Sequence, residues 1–208
     1  MPLPPSTAAR EHLHTRSMRV DAYARDDGQW DLDAELIDVK GYDFPKSGGV
    51  IHKAGQPVHH MYLRITINAD FTITDALAAY DAAPYNEFCS AIAPDYKAMV
   101  GMNLLRGFRH AVKDRFGRTA GCTHLSELSY ILPTAAVQAM AGRRREKGET
   151  EKVDVEGKSG KRPFHIEGCH ALRADSPMTL KFYPQWYVKP QSSNDEASAA
   201  PGGASSTG

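Results

Sequence analysis

The stretch RSMRVDAYARDDGQWDLDAELIDVK, residues 16–40, predicts a β-hairpin. Apolar residues alternate with polar ones on both sides of the "DDG" turn at residues 26–28, and this period of two is typical of strands that bury one face. An Asp-Gly pair between two such runs favours a tight reversal of the chain. The apolar face of the predicted hairpin carries Met18, Val20, Ala22, Trp30, Leu32, Ala34 and Leu36.

A second strand-rich segment, HHMYLRITINADFTITDALAAY, covers residues 59–80. Its first half alternates in the same way, with an apolar face made of Met61, Leu63, Ile65 and Ile67. The "NAD" motif at residues 68–70 predicts a turn. After this turn, Thr74 or Asp75 is a helix-capping type of residue, so we expect a short helix that ends near Pro84.

Two further helices are predicted. Residues 96–117 carry an apolar stripe at helical spacing, which indicates one long amphipathic helix. The octapeptide GCTHLSEL, residues 121–128, indicates the start of another helix with Thr123 as its N-cap. We expect Pro133 to kink or interrupt this helix and Gly142 to end it.

Two short strands are expected to complete the fold, around residues 163–172 and 177–188. Strands followed by helices and again by strands predict an α+β fold, in which helices pack on one face of an antiparallel β-sheet. We expect a single domain over residues 15–189, a flexible N-terminus over residues 1–14 and a disordered Gly/Ser/Pro-rich tail over residues 190–208.

The composition argues against some classes of partner. Lys+Arg and Asp+Glu both number 25, which disfavours a nucleic-acid partner because phosphate binding requires a basic excess. No run approaches the roughly 18 apolar residues of a membrane-spanning helix, and no apolar core of signal-peptide length stands near residue 1. We therefore expect a cytoplasmic protein with a small-molecule substrate, without a membrane partner, and with a homo-oligomer left open. The widely spaced Cys89, Cys122 and Cys169 are predicted to be reduced thiols.

The octapeptide concentrates reactive side chains at the start of a helix. Cys122 precedes the predicted helix, where free backbone N–H groups and the helix dipole stabilise a thiolate. His124 and Glu127 are three residues apart and are therefore neighbours on one helix face. The octapeptide predicts either a site of proton chemistry, in which Glu127 orients His124, or an ordinary capped helix with a buried cysteine and a surface histidine.

A metal site is another interpretation of the same region. Cys122, His124 and Cys169, joined by Cys89 or His170, offer the thiolate and imidazole ligands that zinc takes tetrahedrally. These residues are scattered along the chain without a CxxC or HxxxH motif, so they can converge only if the fold brings them together. Buried, unreactive cysteines are the alternative.

The motif VHHMYLRI, residues 58–65, supplies a second candidate site. Alternate residues of a strand face opposite sides of its sheet, so His59 shares the side of Met61. The other side carries His60, Tyr62 and Arg64. The preceding predicted hairpin adds Asp38, Lys40 and Tyr42 at period two. If the two strands pair, these groups together suffice for general acid–base chemistry without a cofactor. Polar pairing across a solvated sheet face is the alternative.

Several stretches together resemble a bacterial family known as a domain of unknown function, DUF2889. The resemblance covers most of residues 15–188 and rests on YARDDGQWDLDAELIDVKGYDF, GQPVHHMYLRITINADFTI, AAPYNEFC, GFRHAVKDRFG, GCTHLSEL, GCHAL and FYPQWY. The family more often has His-Asp-Met where this chain has His59, His60 and Met61. The resemblance implies that His59, Cys122, His124 and Glu127 are site residues, and it implies no established activity. It associates the chain with bacteria that degrade aromatic and lignin-derived compounds.

Three functions follow from these observations. The first hypothesis is a cofactor-independent lyase that cleaves a C–C or C–O bond of a small aromatic, lignin-derived metabolite and releases a fragment such as formaldehyde. His59 or His124 would be its base, and Lys40 or Arg64 would stabilise the developing oxyanion. The second hypothesis is a zinc- or iron-binding protein that uses the cysteine and histidine ligands named above. The third is a non-catalytic binding module.

Overall fold

The structure is a computed structural model that describes residues 2–46, 48–146, 160, 162–163 and 165–190. The chain divides into two compact units, residues 1–143 and residues 144–208. The single domain predicted over residues 15–189 spans parts of both units. The tail predicted over residues 190–208 lies, beyond residue 190, outside the described residues.

A four-stranded antiparallel sheet forms the base of the first unit. Its strands are β1 (His14–Ala24), β2 (Trp30–Lys40), β5 (Pro57–Ile67) and β6 (Ile73–Ala82). Between β2 and β5 the chain forms two short strands, β3 (Phe44–Pro45) and β4 (Ile51–His52). The spatial order in the main sheet is β1-β2-β5-β6, and β3 pairs with β4 in a small separate sheet. The hairpin predicted over residues 16–40 is confirmed as β1 and β2.

Helical segments follow the sheet. In the first unit they are α1 (Asn86–Ser90), a 3-10 helix (Ala93–Met99), α2 (Phe108–Phe116), a 3-10 helix (Arg118–Ala120) and α3 (Thr123–Ser129). They are followed by α4 (Leu132–Glu146), which begins in the first unit and ends three residues beyond its boundary at residue 143. In the second unit they are a 3-10 helix (His170–Leu172), α5 (Pro177–Phe182) and a 3-10 helix (Pro184–Trp186).

One contiguous core joins the sheet to the helices of the first unit. The fully buried side chains include Leu32, Leu36, Met61, Leu63 and Ile65 on the sheet and Val112, Leu125, Leu128 and Leu132 on the helices. The sheet residues all lie on one face, because alternate residues of a strand point to the same side. The predicted α+β class, with an antiparallel sheet covered by helices on one face, is confirmed.

The prediction of a helix that starts at Thr74 or Asp75 is wrong, because this segment forms β6. Its buried side chains, Ile73, Ala76 and Ala78, face the core from the edge of the sheet. The register with β5 shifts near Ile73 and again near the end of β6, and these bulges interrupt the alternation that would have indicated a strand. Pairing with β5, a non-local contact, overrides the local capping signal.

The prediction of one long helix over residues 96–117 is also wrong for the first half of this range. Gly101 and Gly107 adopt positive φ angles of 89° and 62°, and a helix cannot continue through this left-handed conformation. The α-helix therefore begins only at Phe108. The chain then returns to helix at α3, whose N-cap is Cys122 rather than the predicted Thr123.

The predicted interruption at Pro133 is confirmed, since α3 ends at Ser129 and α4 begins at Leu132. The helix does not end at Gly142, however, because the backbone remains helical to Glu146. A glycine inside a helix weakens it without forcing it to stop.

The prediction of strands around residues 163–172 and 177–188 is wrong, because the described residues in these two ranges are helical or irregular. Ser176 explains the start of α5. Its hydroxyl accepts a hydrogen bond from the Thr179 backbone N–H at 3.1 Å, and Pro177 occupies the first turn, where its missing N–H costs no hydrogen bond.

Candidate functional site

A buried carboxylate, Asp38, is the centre of the candidate site. Asp38 lies near the end of β2 on the helix-covered face and is only 3% exposed. Arg16 holds both of its oxygens, with Nε 2.8 Å from Oδ1 and Nη2 2.9 Å from Oδ2. His14 Nε2 lies 3.0 Å from Oδ1, and His59 Nδ1 lies 2.9 Å from Oδ2. A buried charge needs this density of partners to be stable.

The strand register explains how these residues meet. Asp38 pairs with Arg16 on β1 and with His59 on β5, so the three occupy one row across the sheet. Directly opposite residues of an antiparallel pair project to the same face. The row therefore extends the apolar stripe of the sheet with polar groups at one end of the core.

The charges in this row keep Asp38 ionised. Burial raises the pKa of the Asp38 carboxyl, but the hydrogen bonds and positive charge of Arg16, together with the bond to His59, outweigh burial and hold that pKa below its usual range. The same contact raises the pKa of Arg16. The centre of the site is thus an ion pair with imidazoles beside it.

Helix α3 delivers a second imidazole to this carboxylate. The His59 and His124 ring centroids are 3.9 Å apart, with an interplanar angle of 32°, and His124 Nε2 lies 3.8 Å from Asp38 Oδ2. Burial lowers the pKa of His59, and the nearby charge of His124 lowers it further, against the opposing effect of Asp38. His59 is therefore held as a neutral imidazole over more of the pH range than an exposed histidine is.

Cys122 adjoins the two histidines from the N-cap of α3. Its Sγ lies 4.0 Å from His124 Nδ1. Burial raises the pKa of the Cys122 thiol, but the interactions with His124, with the Leu125 backbone N–H and with Tyr80 outweigh it and lower the pKa to about 7. The Tyr96 hydroxyl donates to the Cys122 carbonyl at 3.0 Å and accepts from its N–H at 2.9 Å, which fixes the backbone of this cap.

Three of these residues present ligand atoms to a common point. Among the described residues, Asp38, His59 and His124 form a group in which one potential metal-ligating atom from each lies within 4.8 Å of the others. Two imidazoles and a carboxylate are ligands that suit iron or zinc. The group shares only His124 with the predicted set of Cys122, His124 and Cys169.

A metal ion bound to this group would have to compete with the Arg16 guanidinium for the Asp38 carboxylate. Both oxygens of Asp38 already accept hydrogen bonds from Arg16, whose charge would repel a metal ion on the same carboxylate. The residue types of Asp38, His59 and His124 fit a metal ion. The positive charge of Arg16 beside them makes the fit less good. Cys169 is exposed and belongs to the second compact unit.

The sheet separates the predicted acid–base residues into two groups. His60, Tyr62 and Arg64 lie on the face opposite His59, as the alternation predicts, so the structure does not bring them into the site around Asp38. Each makes a polar contact on that open face. His60 Nε2 lies 2.8 Å from Glu35, the Tyr62 hydroxyl donates to Asp81 at 2.7 Å, and Arg64 Nε donates to Asp33 at 2.6 Å.

Two other predicted residues lie near the site with different partners. The Glu127 carboxylate accepts from Arg16 Nη1, and it is Asp38 whose carboxylate lies beside His124, so the predicted orienting role of Glu127 is not what the contacts show. Lys40 shares the face of Asp38 on β2. Its ammonium lies 3.2 Å from the Tyr42 hydroxyl and 4.2 Å from the centroid of the Phe44 ring.

Two residues of the candidate site were not predicted from the sequence. Arg16 and His14 continue the period of Met18 toward the start of β1, on the face assigned to the core. A register drawn symmetrically about the turn at residues 26–28 would have placed Arg16 opposite Asp38. The pairing of Arg16 with Asp38 in that register was the signal in the sequence that could have identified Arg16.

These contacts define a polar cluster built from a sheet row and a helix tip, and its side chains are of the types that serve acid–base chemistry or metal binding. The chain belongs to the family described as "Protein of unknown function (DUF2889)", whose profile matches residues 14–138. The matched range contains every residue of the row and of the helix tip. Comparison with curated proteins and with solved structures found no match. None of the helices in the described residues has the length and apolar character needed to cross a membrane.

Proposed function

We propose that the protein is a cofactor-independent lyase that acts on a small aromatic metabolite through the His59–His124 pair. The observation that carries this proposal is the contact between the two imidazoles, at 3.9 Å between ring centroids, beside the ionised Asp38. Two titratable rings in contact can accept and donate protons within a single site.

His59 is the proposed base. Its Nδ1 is held by Asp38 at 2.9 Å, which directs Nε2 away from the carboxylate and orients the ring. Its lowered pKa favours the neutral form, which can accept a proton at neutral pH. A carboxylate behind an imidazole also stabilises the imidazolium that forms when the proton arrives.

His124 is the proposed acid. Because two imidazolium rings in contact repel each other, the pair holds one proton more readily than two. A substrate that gives a proton to one ring can therefore receive one from the other. An Asp38 oxygen lies 3.8 Å from His124 Nε2, which places the ring beside the carboxylate.

The proposed reaction cleaves a C–C bond next to a primary alcohol. The base takes the proton of a CH2–OH group, the O–H electrons form the C=O bond of formaldehyde, and the broken C–C bond becomes a C=C bond. The electrons of a neighbouring C–O bond leave with its oxygen, which takes a proton from the acid. Lys40, on the same face of the sheet, is the proposed stabiliser of the developing oxyanion. The aromatic substrate class rests on the family's association with bacteria that degrade lignin-derived compounds.

The neighbouring histidines of β5 offer a matched test of the base. The protein is incubated with aromatic compounds that carry a hydroxymethyl group next to an aryl ether, and formaldehyde is measured. His59→Ala and His124→Ala should each lower kcat/KM by about 100-fold or more, the range for loss of an acid–base group. His60→Ala, on the opposite face, should leave it within about threefold. Equal effects of His59→Ala and His60→Ala would eliminate this site as the catalytic centre.

A metal-binding protein is the second candidate, favoured by the ligand group of Asp38, His59 and His124. Elemental analysis of protein purified without an affinity tag distinguishes the candidates. Stoichiometric zinc or iron that is lost in His59→Ala but kept in Cys122→Ser would assign the metal to this group. Loss in Cys122→Ser would instead support the cysteine-containing set, and active protein without metal would leave the lyase proposal standing.

A further inference from the structure

The outermost strand of the main sheet, β1, has one edge that no described strand pairs with. Its residues are exposed or half-buried, and within the described part of the chain β2 is the strand that pairs with it. β1 contains no proline and no lysine, and its register with β2 runs without a bulge over its whole length. Natural proteins use those three devices to keep an edge strand from pairing with another chain.

The opposite edge of the sheet is protected. β6 shifts register twice against β5, and bulges of this kind bend a strand away from a regular edge. The backbone of Ile73 is hydrogen-bonded to the loop at Gly101 and Met102, at 2.9 Å in each case. Only β1 therefore presents a long, regular row of backbone groups among the described strands of this sheet.

The hairpin hydrogen bonds show which backbone groups of β1 point outward. The Arg25 N–H donates to Gln29 at 2.9 Å, and the Leu13 carbonyl accepts from Gly41 at 3.2 Å, so odd-numbered positions bond toward β2. Backbone direction alternates along a strand. The N–H and C=O groups of Met18, Val20 and Ala22 therefore face away from the sheet.

A second copy of β1 complements this edge in one register. An antiparallel pair of β1 strands with its two-fold axis at Val20 sets outward-facing residues opposite each other and aligns Arg19 with Asp21 of the other copy. Moving the axis by one residue would oppose Arg19 to Arg19, or Asp21 to Asp21. Both side chains are accessible on the open face, at 67% and 38% exposure, and within one chain they already form a 2.6 Å ion pair.

We propose that the protein forms a symmetric dimer by pairing the β1 edges of two copies about Val20, which joins the two sheets into one continuous sheet. The ion pairs between Arg19 and Asp21 then form between copies on the open face. On the helix-covered face, the half-buried Met18 and Val20 gain apolar neighbours from the second copy. Like charges directly opposite one another in a sheet are destabilising, so this charge pattern selects the register.

Charge-reversal variants of the full chain test the interface and its register together. Sedimentation velocity should show a concentration-dependent dimer for the wild-type protein. Arg19→Glu and Asp21→Arg, each alone, should raise the dimer dissociation constant by about tenfold or more, because each opposes like charges at two symmetry-related positions. An equimolar mixture of the two variants should regain wild-type dimerisation, since every opposed pair is then complementary.

The control is Lys97→Glu, which makes the same change of charge beside the protected edge and should leave the dimer unchanged. Circular dichroism confirms that each variant is folded before its mass is compared. A monomeric wild-type protein up to about 100 μM, well above the range of a specific complex, would overturn the proposal. So would single variants that dimerise like the wild type, or a mixture that stays monomeric.

Discussion

Asp38→Asn is the sharpest perturbation of the site because it changes charge with almost no change of volume. The wild-type carboxylate accepts two hydrogen bonds from Arg16 and one from His59. A carboxamide has one acceptor oxygen, and its NH2 group must face one of these donors. The variant therefore removes the buried one of the two carboxylates that Arg16 contacts and leaves the guanidinium with Glu127 alone.

The expected loss follows from those contacts. Hydrogen bonds to charged groups contribute about 1.5–3 kcal/mol each, and removing one member of a buried ion pair costs about 3–5 kcal/mol. The Arg16 side chain is 31% exposed, so water stabilises part of its released charge. We expect the free energy of unfolding to fall by about 3 kcal/mol at pH 7, toward the low end of that range.

The loss should depend on pH in a defined direction. Because the pKa of Asp38 in the folded protein is below its ordinary value of 3.8, its contribution is complete above that value. The contribution is lost as the pH falls through the lowered pKa. The part of the difference between wild type and Asp38→Asn that comes from ionisation of Asp38 should therefore be constant at neutral pH and be lost in acid below about pH 4.

Urea unfolding followed by circular dichroism measures this difference, and the same strand provides the control. Asp33 also pairs with an arginine, Arg64 at 2.6 Å, but on the open face, where both side chains are substantially exposed. Asp33→Asn should cost less than about 1 kcal/mol, as exposed ion pairs do. If Asp38→Asn costs no more than Asp33→Asn, the reasoning about a buried ionic centre is refuted.

Three other outcomes follow from the site. The pKa of His59 is lower in the folded protein than its ordinary 6.5. As the pH falls, His59 therefore binds a proton at a higher pH in the unfolded chain than in the folded protein. Folding stability should thus decline below about pH 6.5, and His59→Gln should flatten this decline in urea titrations. Alkylation of Cys122 by iodoacetamide should have a midpoint near pH 7, against an ordinary value of 9.0, and His124→Ala should raise it, with the rate at Cys89 as the reference. Tyr96→Phe should cost about 1–3 kcal/mol in thermal or urea unfolding, because it leaves the part-buried N–H of Cys122 unpaired, while the Cys122 carbonyl keeps its bond from the Ser126 N–H at 3.0 Å.

The hairpin of β1 and β2 could be predicted because its signal is local. An uninterrupted alternation on both sides of residues 26–28 specifies the strands, the turn and the buried face together. β6 could not be predicted in this way. Thr74 lies at a bulge, so the alternation breaks where a helix cap would also be expected. Only the presence of β5 beside it decides between the two.

The site was predictable in its members and not in its assembly. His59 and His124 were candidates because of their neighbours in sequence and the family resemblance, but their contact depends on α3 packing across β2 and β5. Arg16 was missed because an arginine in a strand is normally a surface residue. Its role appears only when the hairpin register sets it opposite Asp38.

Arg16 also ties the site to the least protected strand. Its guanidinium bridges Asp38 on β2 and Glu127 on α3, yet its backbone belongs to β1, the first strand in the order of the main sheet. Strands at a rim detach in local fluctuations that require far less free energy than global unfolding. Each time β1 detaches, the Arg16 guanidinium would move away and leave the Asp38 carboxylate without its main positive partner. The lifetime of the intact site is therefore set by how strongly β1 is held to β2.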